Sequence, residues 1–591
     1  MAGSITPRQK GKGGCCMGNS NISKGIPKVV SIGAQSFEKL REGEYFYIDK
    51  TLFIREWWES GDDVTLITRP RRFGKTLNMD MVKCFFSNEY EGRADLFEGL
   101  SIWEDGKYRA LQGENPVIFL SFANAKGRSA DSIMDMVKAT IAQAFREHRI
   151  IMQADVFSDT DRKEFDKFDT DMTEQAAARS VNYLCEWLRR YYGKNPIVLI
   201  YEYDTPMQDA WLCGCWDEIS SFFRTFFNST LKTNPHLGRA LLTGITRVAK
   251  ESIFSDLNNL KVISVTSDKY ARHFGFTEEE VFTAIDVQGI DSSEKEFVKK
   301  WYDGYVIGSE RDIYNPWSVT QYLDEKRIGP HWGETSSNAL VGKLLREGDG
   351  RIKEEFERLL SGESIEVPMD EYVVFPRLGS NREGIYSLLL AAGHLKAEKV
   401  RIFTDGRRKP LYTLSITNLE VSYMFFNLIS DWFSDSDIPF AEFVTSMFRG
   451  DVQGMNLYMN KVALRTFSSF DTAKVPSEEK NPERFYHGFV LGLLVDKAED
   501  YIIKSNRESG YGRYDVVMEP KNREDVAVIM EFKVQNKVAG EDSLDATADA
   551  ALLQIEEKCY DADLLSKGIP EERIFKYGFA FRGKECLIKK G

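Results

Sequence analysis

Two groups of residues in this chain have types and spacings suited to chemistry on phosphates. The first is Arg69-Pro70-Arg71-Arg72-Phe73-Gly74-Lys75-Thr76, which follows the apolar run Val64-Thr65-Leu66-Ile67-Thr68 and precedes an amphipathic stretch from Asn78 to Phe86. A phosphate-binding loop needs Gly, four residues, then Gly-Lys-Ser/Thr. The second half of that pattern is intact, and Arg69 stands where the first glycine belongs. Gly74 would let backbone N–H groups approach phosphate, Lys75 would reach the β- and γ-phosphates, and Thr76 would hold Mg2+. The helix beginning near Leu77 would turn its positive end toward the anion. Arg71 and Arg72 add positive charge. The expected ligands are ATP, or another nucleoside triphosphate, and Mg2+. Gly-Lys-Thr alone also suits an ordinary helix start with a solvated lysine. A strand before it, a helix after it and a later acidic strand end favour the loop.

That later strand is Ile197-Val198-Leu199-Ile200-Tyr201-Glu202-Tyr203-Asp204. A nucleotide-hydrolysing site ends such a strand in an Asp for Mg2+, often followed by a Glu that activates water. Glu202 fits the second role. Tyr201 occupies the Asp position, and a phenol does not replace a carboxylate on Mg2+ at neutral pH. Asp204 is the candidate substitute, and a solvated strand end is the alternative for these acids. Arg239 to Thr243 is a further strand, and Arg247 beyond it could sense a γ-phosphate.

The second group lies near the carboxyl end. Arg513 to Pro520 and Val526 to Val534 read as strands joined by the polar turn Lys521 to Asp525. A hairpin symmetric about Arg523 pairs position 515 with 531, and directly opposed residues share a face. Lys533 lies two residues beyond Glu531 and shares that face too. Asp515, Glu531 and Lys533 are therefore expected in one cluster. Two carboxylates can hold a divalent ion that polarises a phosphodiester and activates water. The lysine would orient that water or stabilise the transition state. A solvated, salt-bridged face is the alternative, but an otherwise apolar strand makes unpaired Glu and Lys costly. Upstream, Glu483 is a third candidate acid for catalysis, and His487 reads better as a packed helix residue. Gln554, Lys558 and Tyr560 lie on a following helix, and Ser505 to Arg513 forms a polar loop suited to nucleic-acid contact.

These residues must be positioned by several units. A chain of 591 residues exceeds what one core organises. Apolar content of 42% and charged content of 29% exclude a mostly disordered chain or a small disulfide scaffold. A net charge of −13 excludes a uniformly basic nucleic-acid coat but leaves room for a local basic stripe. No apolar run is long enough for a membrane span, and no secretory signal is visible. The eight cysteines are sparse, and the expectation is reduced thiols in a cytoplasmic protein, Cys213-Gly214-Cys215 included. Strands at 64–68, 117–120, 197–200 and 239–243 alternate with helical patterns, which predicts an α/β fold with a parallel sheet. The expected organisation is a disordered tail over 1–26, a nucleotide-binding domain over 27–270, a mostly helical middle or lid region over 271–475, and an α/β domain over 480–591. Residues 476–482 are the expected linker. Ile385 to Lys396 and Val421 to Phe433 read as strong helices.

The motifs together carry a resemblance. Phe46-Tyr47-Ile48-Asp49-Lys50-Thr51, the Thr68 to Thr76 loop and Glu202-Tyr203-Asp204-Thr205-Pro206 resemble the AAA-ATPase-like family. Tyr302-Asp303-Gly304-Tyr305, Tyr314-Asn315-Pro316 and Thr335-Ser336-Ser337-Asn338 extend the match. The block from Ser505 to Lys533 is similar to the PD-(D/E)XK nuclease domain usually fused to that ATPase. The resemblance implies a P-loop NTPase-like sheet, a C-terminal nuclease fold and a prokaryotic ATPase–nuclease fusion of the kind associated with defence or mobile elements. Members carry Asp where this chain has Tyr201, which bears on hydrolysis more than on nucleotide binding. The resulting expectation is a Mg2+-dependent endonuclease acting on nucleic acid, DNA ahead of RNA, and gated by ATP binding, with homo-oligomer formation possible in principle. The alternative is a non-hydrolysing nucleotide sensor whose C-terminal domain binds nucleic acid without cleaving it. An ATP-driven motor is disfavoured by the lost acid and the missing glycine.

Overall fold

The computed structural model describes residues 27–246 and, from 253 onward, all but 255–256, 333–340, 343, 345–349, 361, 370–377, 379–380, 404–407, 435–439, 467–499, 506–507, 510–511, 514–515, 536–540 and 583–584. Five parallel strands form the first sheet: β1 (Val64–Thr68), β2 (Val117–Ser121), β3 (Ile197–Tyr201), β4 (Arg239–Gly244) and β5 (Leu260–Ile263), in the order β2-β3-β4-β1-β5. All five residues of β1 are buried, as a sheet covered on both faces requires. Alternation divides each strand between two cores. Val64, Leu66, Val198 and Ile200 face a core built on the helices Ala130–Glu147 and Glu174–Tyr192. Ile67, Ile197 and Leu199 face one built on the helix Lys75–Phe86 and on Trp57. Ser129 closes a capping box on the first of these helices, and Thr173 caps the second. The connection from β4 to β5 passes β1, so a crevice opens at the carboxyl end of β1, where open α/β sheets take their ligands. Strand β5 escaped the sequence reading because this edge strand is short and only its last residue is buried.

The region after 271 is not helix alone. Strands β6 (Phe276–Thr277), β7 (Tyr305–Ile307) and β8 (Glu310–Tyr314) form one small antiparallel sheet. Strands β9 (Ile365–Pro368), β10 (Leu395–Arg401) and β11 (Leu411–Ile416) form another. The helix expected to reach Lys396 runs from Arg382 to Ala392, where Gly393 caps it and the chain turns into β10. Most of β10 is exposed or half-buried, so its apolar periodicity is faint. Buried residues of this region, including Val367, Leu388, Tyr412 and Phe425, join the core that holds Val64 and Ile200. Cys213 and Cys215 form a disulfide, their Cα atoms 5.6 Å apart across the turn at Gly214, which corrects the expectation of reduced thiols for that pair. No described helix is long and apolar enough to cross a membrane.

The C-terminal sheet contains β12 (Tyr501–Ser505), β15 (Val516–Pro520), β16 (Ala527–Val534), β17 (Ile574–Arg582) and β18 (Glu585–Lys590), in that order. A two-residue ladder, β13 (Glu508–Ser509) with β14 (Gly512–Arg513), stands apart from it. Strands β16 and β17 are parallel, and the helix Leu544–Glu557 lies in the crossover between them. One sheet face packs Met518, Val528, Met530 and Phe532 against Phe443, Met447, Met455 and Tyr458 of the helices Phe440–Arg449 and Val452–Thr466. Those helices, counted with the middle region from sequence, thus pack as part of the C-terminal unit. They also cover the β18 edge. Asn456 bonds both the carbonyl (2.9 Å) and the N–H (2.8 Å) of Ile588. Asn460 does the same for Cys586 at 2.7 and 3.0 Å. Two side-chain amides so do the work of a further strand on an edge that would otherwise invite foreign pairing.

Asn456→Ala removes both Ile588 bonds and is expected to destabilise the C-terminal unit by about 2 kcal/mol. Urea unfolding followed by a probe in this unit checks it, and an unchanged midpoint would contradict the edge-capping role.

Candidate functional site

The loop between β1 and the helix Lys75–Phe86 is curled by two positive backbone angles, φ +63° at Arg72 and +75° at Gly74. Such left-handed positions turn successive N–H groups toward one point, which makes an anion-binding concavity. Gly74 is the N-cap of the helix, and its conformation is one that other residues adopt at a cost. Lys75 follows immediately and is 3% exposed. Its Nζ donates to the carbonyl oxygens of Arg69 (3.0 Å) and Pro70 (2.7 Å). Among the described residues it makes no ion pair, and burial lowers its pKa to about 8. The loop therefore holds a sealed cation that donates only to backbone carbonyls, with the Glu202 and Asp204 carboxylates near enough to act on its charge but not paired with it, an arrangement that an incoming anion would relieve.

Arg69, in place of the missing glycine, is a structural peg. It is fully buried, and its guanidinium donates to the carbonyls of Thr68 (2.9 Å) and Ser264 (2.7 Å), which ties β1 to the chain after β5. The segment Phe46–Thr51 also acquires a reason. Asp49 accepts from the Thr51 N–H and hydroxyl and, through its other oxygen, from the Ser101 N–H. Lys50 donates to Glu280 at 2.7 Å and to the Arg272 carbonyl at 2.8 Å. A cavity of about 590 Å3 opens over the loop, walled by Arg71 to Asn78, Tyr47, Lys50, Tyr201, Glu202 and Trp317. Its size suits a small organic ligand.

The end of β3 departs from a hydrolytic arrangement. The Thr76 hydroxyl donates to the Tyr201 phenol oxygen at 2.5 Å, and Tyr201 donates onward to Glu202 Oε1 at 2.9 Å. Burial, then the adjacent Glu202 carboxylate, push the Tyr201 phenol well above its ordinary range, so it stays neutral. Glu202 holds φ +51°, and among the described residues lining the cavity it is the one carboxylate. Asp204, expected at the nucleotide, serves elsewhere. It is fully buried and accepts from the Ile245 N–H (3.1 Å), the Thr246 N–H (2.8 Å), the Thr246 hydroxyl (2.6 Å) and Gln208 (3.1 Å). It does not line the cavity. The donors beside Thr76 therefore do not fit Mg2+ as sequence reasoning expected: a neutral phenol occupies the post and the candidate substitute, Asp204, is bonded at the end of β4 and does not line the cavity.

The middle region grips the loop directly. Phe73 is fully buried among Tyr305, Ile307 and Ile313. Arg72 stacks on Trp317, 3.6 Å from the ring centroid. Asn315 donates to the Arg71 carbonyl at 3.3 Å while capping the helix Pro316–Glu325. An added Cβ at Gly393 would stand 2.8 Å from Pro70 Cβ. Arg71 turns the other way, toward Gln208 at 3.4 Å. Trp317, Phe73 and Lys50 were not singled out for these roles from sequence. Their partners lie more than 200 residues away in the chain, beyond the reach of local spacing.

In the C-terminal sheet, Val516 pairs with Met530, Val517 with Ile529 and Met518 with Val528, the register of a hairpin symmetric about 523. Glu531 and Lys533 lie on the face that packs Ala527 and Ile529 against the helix Leu544–Glu557. Glu531 is 4% exposed and Lys533 is half-buried. Among the described residues Lys533 makes no ion pair. Gln554 Nε2 donates to Glu531 and, at 3.1 Å, to the Tyr560 hydroxyl. Glu531 stands opposite Gly578 on β17. A Cβ there would come within 2.5 Å of the Ala548 carbonyl, so this glycine lets the helix approach and bring Gln554 over the carboxylate. A buried carboxylate with a lysine two residues on offers hard oxygen ligation to a divalent cation and a positive charge beside it. Glu483, Asp515 and Arg247 lie outside the described residues, as does His487.

Residues 31–254 match the family model described as "Predicted AAA-ATPase", and residues 481–591 match the PD-(D/E)XK nuclease superfamily. The chain is 26% identical over 553 residues to an uncharacterized protein in the vnfD 5'region of Azotobacter chroococcum mcd 1, covering 92% of this chain and 95% of that one. Among solved structures, a signal transduction ATPase with numerous domains from Pyrococcus horikoshii, which carries a tetratricopeptide repeat sensor, aligns at 11% identity and a TM-score of 0.23. That alignment covers 81% of this chain and 56% of the other, so the chain spans little more than half of that structure's length.

A triphosphate held by the Lys75 ammonium, whose pKa burial lowers to about 8, is expected to show an affinity that is flat below that pH and falls above it. Bound phosphate raises the pKa, so the decline is about tenfold per pH unit over the window above 8. Titration calorimetry at pH 7, 8 and 9 checks this, and equal affinities at pH 7 and 9 would contradict it.

Proposed function

We propose that this chain, which joins an AAA-ATPase domain over residues 31–254 to a PD-(D/E)XK nuclease superfamily domain over 481–591, is a metal-dependent nuclease gated by nucleotide binding. The observation that carries the catalytic half is Glu531 and Lys533 on one face of β16, with Gln554 bonded to the carboxylate. In this reading Glu531, together with Asp515, holds the divalent ion, and Glu483 supports the ion or the water. The ion would supply Lewis-acid polarisation of the phosphodiester. Lys533 would stabilise negative charge on the phosphoryl oxygens, and Gln554 would fix the orientation of Glu531. The helices Phe440–Arg449 and Val452–Thr466 hold the opposite face, where Tyr577 donates to the Met447 carbonyl at 2.5 Å. The rigid sheet between them supports a precise placement of the two catalytic side chains.

Gating is supported by the grip of the middle region on the loop. Phe73, Arg72, the Arg71 carbonyl and Pro70 each contact residues between 305 and 393. A ligand that reshapes the loop would shift those contacts, and a change in relative stability of two arrangements is what a gate requires. Triphosphate would sit with Lys75 released from the carbonyls of Arg69 and Pro70. Arg71, Arg72 and Gly74 would border its phosphates.

The expected activity is cleavage of DNA or RNA that requires a divalent cation and stops with chelator. Lys533→Ala should lower the rate by about 100-fold or more. Incubation of plasmid, linear DNA and RNA with purified wild-type and variant protein checks this. Undiminished cleavage by the double variant Glu531→Ala, Lys533→Ala would remove the catalytic assignment.

A further inference from the structure

We infer that the nucleotide-binding domain keeps its triphosphate instead of cleaving it, with Tyr201 as the residue that blocks hydrolysis. The inference rests on the nucleotide-binding reading above and specifies how that site is regulated: the ligand is resident, and exchange, not cleavage, changes its state.

Hydrolysis of a bound triphosphate uses a carboxylate-held ion at the strand end and a residue that positions or deprotonates the attacking water. This chain diverts both. The Tyr201 phenol lies between Thr76 and Glu202 at 2.5 and 2.9 Å, so the Thr76 hydroxyl proton and one Glu202 oxygen are committed to it. The other Glu202 oxygen accepts from the Thr205 hydroxyl at 3.3 Å. Glu202 is set in this pose by its left-handed backbone, φ +51°, a conformation that is strained for a residue with a Cβ and persists only where neighbours enforce it. They do: the Thr205 N–H donates to the Glu202 carbonyl at 3.2 Å and the Tyr203 N–H to Thr243 at 3.1 Å.

The remaining acid is held at the end of β4: Oδ2 of Asp204 accepts from two N–H groups and a hydroxyl there, so rotating the carboxylate to line the cavity would strand those buried donors. The parts suited to holding phosphate, apart from the first glycine that Arg69 replaces, are present: the left-handed Gly74, the sealed Lys75 and the cavity over them. A site equipped to hold and not to cleave is what a nucleotide sensor needs.

The test uses the full chain with ATP and Mg2+, quenched over time and resolved by chromatography. Wild type should return bound ATP intact, and chelation of Mg2+ should weaken its ATP affinity by no more than about threefold, since no protein carboxylate links the ion to the loop. Tyr201→Asp restores the ion-holding acid and should release phosphate at least about tenfold faster than wild type. Tyr201→Phe, which removes the hydroxyl without adding a carboxylate, should bind and still not release phosphate. Steady multiple turnover by wild type, a loss of affinity above about tenfold on chelation, or a Tyr201→Asp protein that binds ATP without gaining hydrolysis would each overturn the inference while leaving nucleotide binding in place. Failure of wild type to bind ATP at all would overturn the nucleotide-binding reading and this inference with it. The wild-type measurements decide the matter even where a substituted chain does not fold.

Discussion

An ammonium group sealed in protein and hydrogen-bonded only to carbonyl oxygens is the feature on which the rest of the N-terminal half depends. Lys75 is that group, and desolvating a cation with no directly paired counter-charge costs several kcal/mol. The structure sustains it by over-determining the loop. The parallel sheet fixes one end through β1, Gly74 fixes the other at the start of a helix, and Arg69 nails the strand to the segment after β5. The geometry makes sense as a site whose missing charge is supplied by a ligand.

The loop is also shared property. In a free-standing sheet its residues would face solvent, but here Phe73 is a core residue of the neighbouring small sheet and Arg72 lies on Trp317. Glu420 reinforces the same junction, accepting from Ser318 at 2.7 Å and from the Trp332 N–H at 2.7 Å while burial raises its pKa to about 7. The loop and the middle region are thus packed directly against each other, with no intervening relay between them. The C-terminal sheet is organised by different means. The face carrying Glu531 and Lys533 is shaped by a glycine that admits a helix, and the sheet's free edge is closed by two asparagines.

Much of this was legible in the residues because two periodicities are robust. The buried parallel strands announce themselves as short apolar runs, and the C-terminal hairpin register follows from counting outward from Arg523, as the pairing of Val517 with Ile529 shows. The loop motif was visible from Gly74 onward. What sequence could not supply was the destination of polar side chains. Asp204 and Glu202 are two residues apart, yet the left-handed backbone at Glu202 sends one toward the cavity and the other into the interior. Tyr201 was visible as a substitution, but its position as a bridge from Thr76 to Glu202 needed three elements in space. The small antiparallel sheets after 271 were missed because their strands are short or largely exposed, so neither alternation nor apolar content marks them.

The most direct measurement of the central claim is a structure of the full chain determined with a bound nucleoside triphosphate analogue. The account predicts its phosphates cupped by residues 71–76, with Lys75 Nζ withdrawn from the Arg69 and Pro70 carbonyls onto a phosphate oxygen and Tyr201 still between Thr76 and Glu202. An analogue seated elsewhere, with Lys75 unmoved, would contradict it.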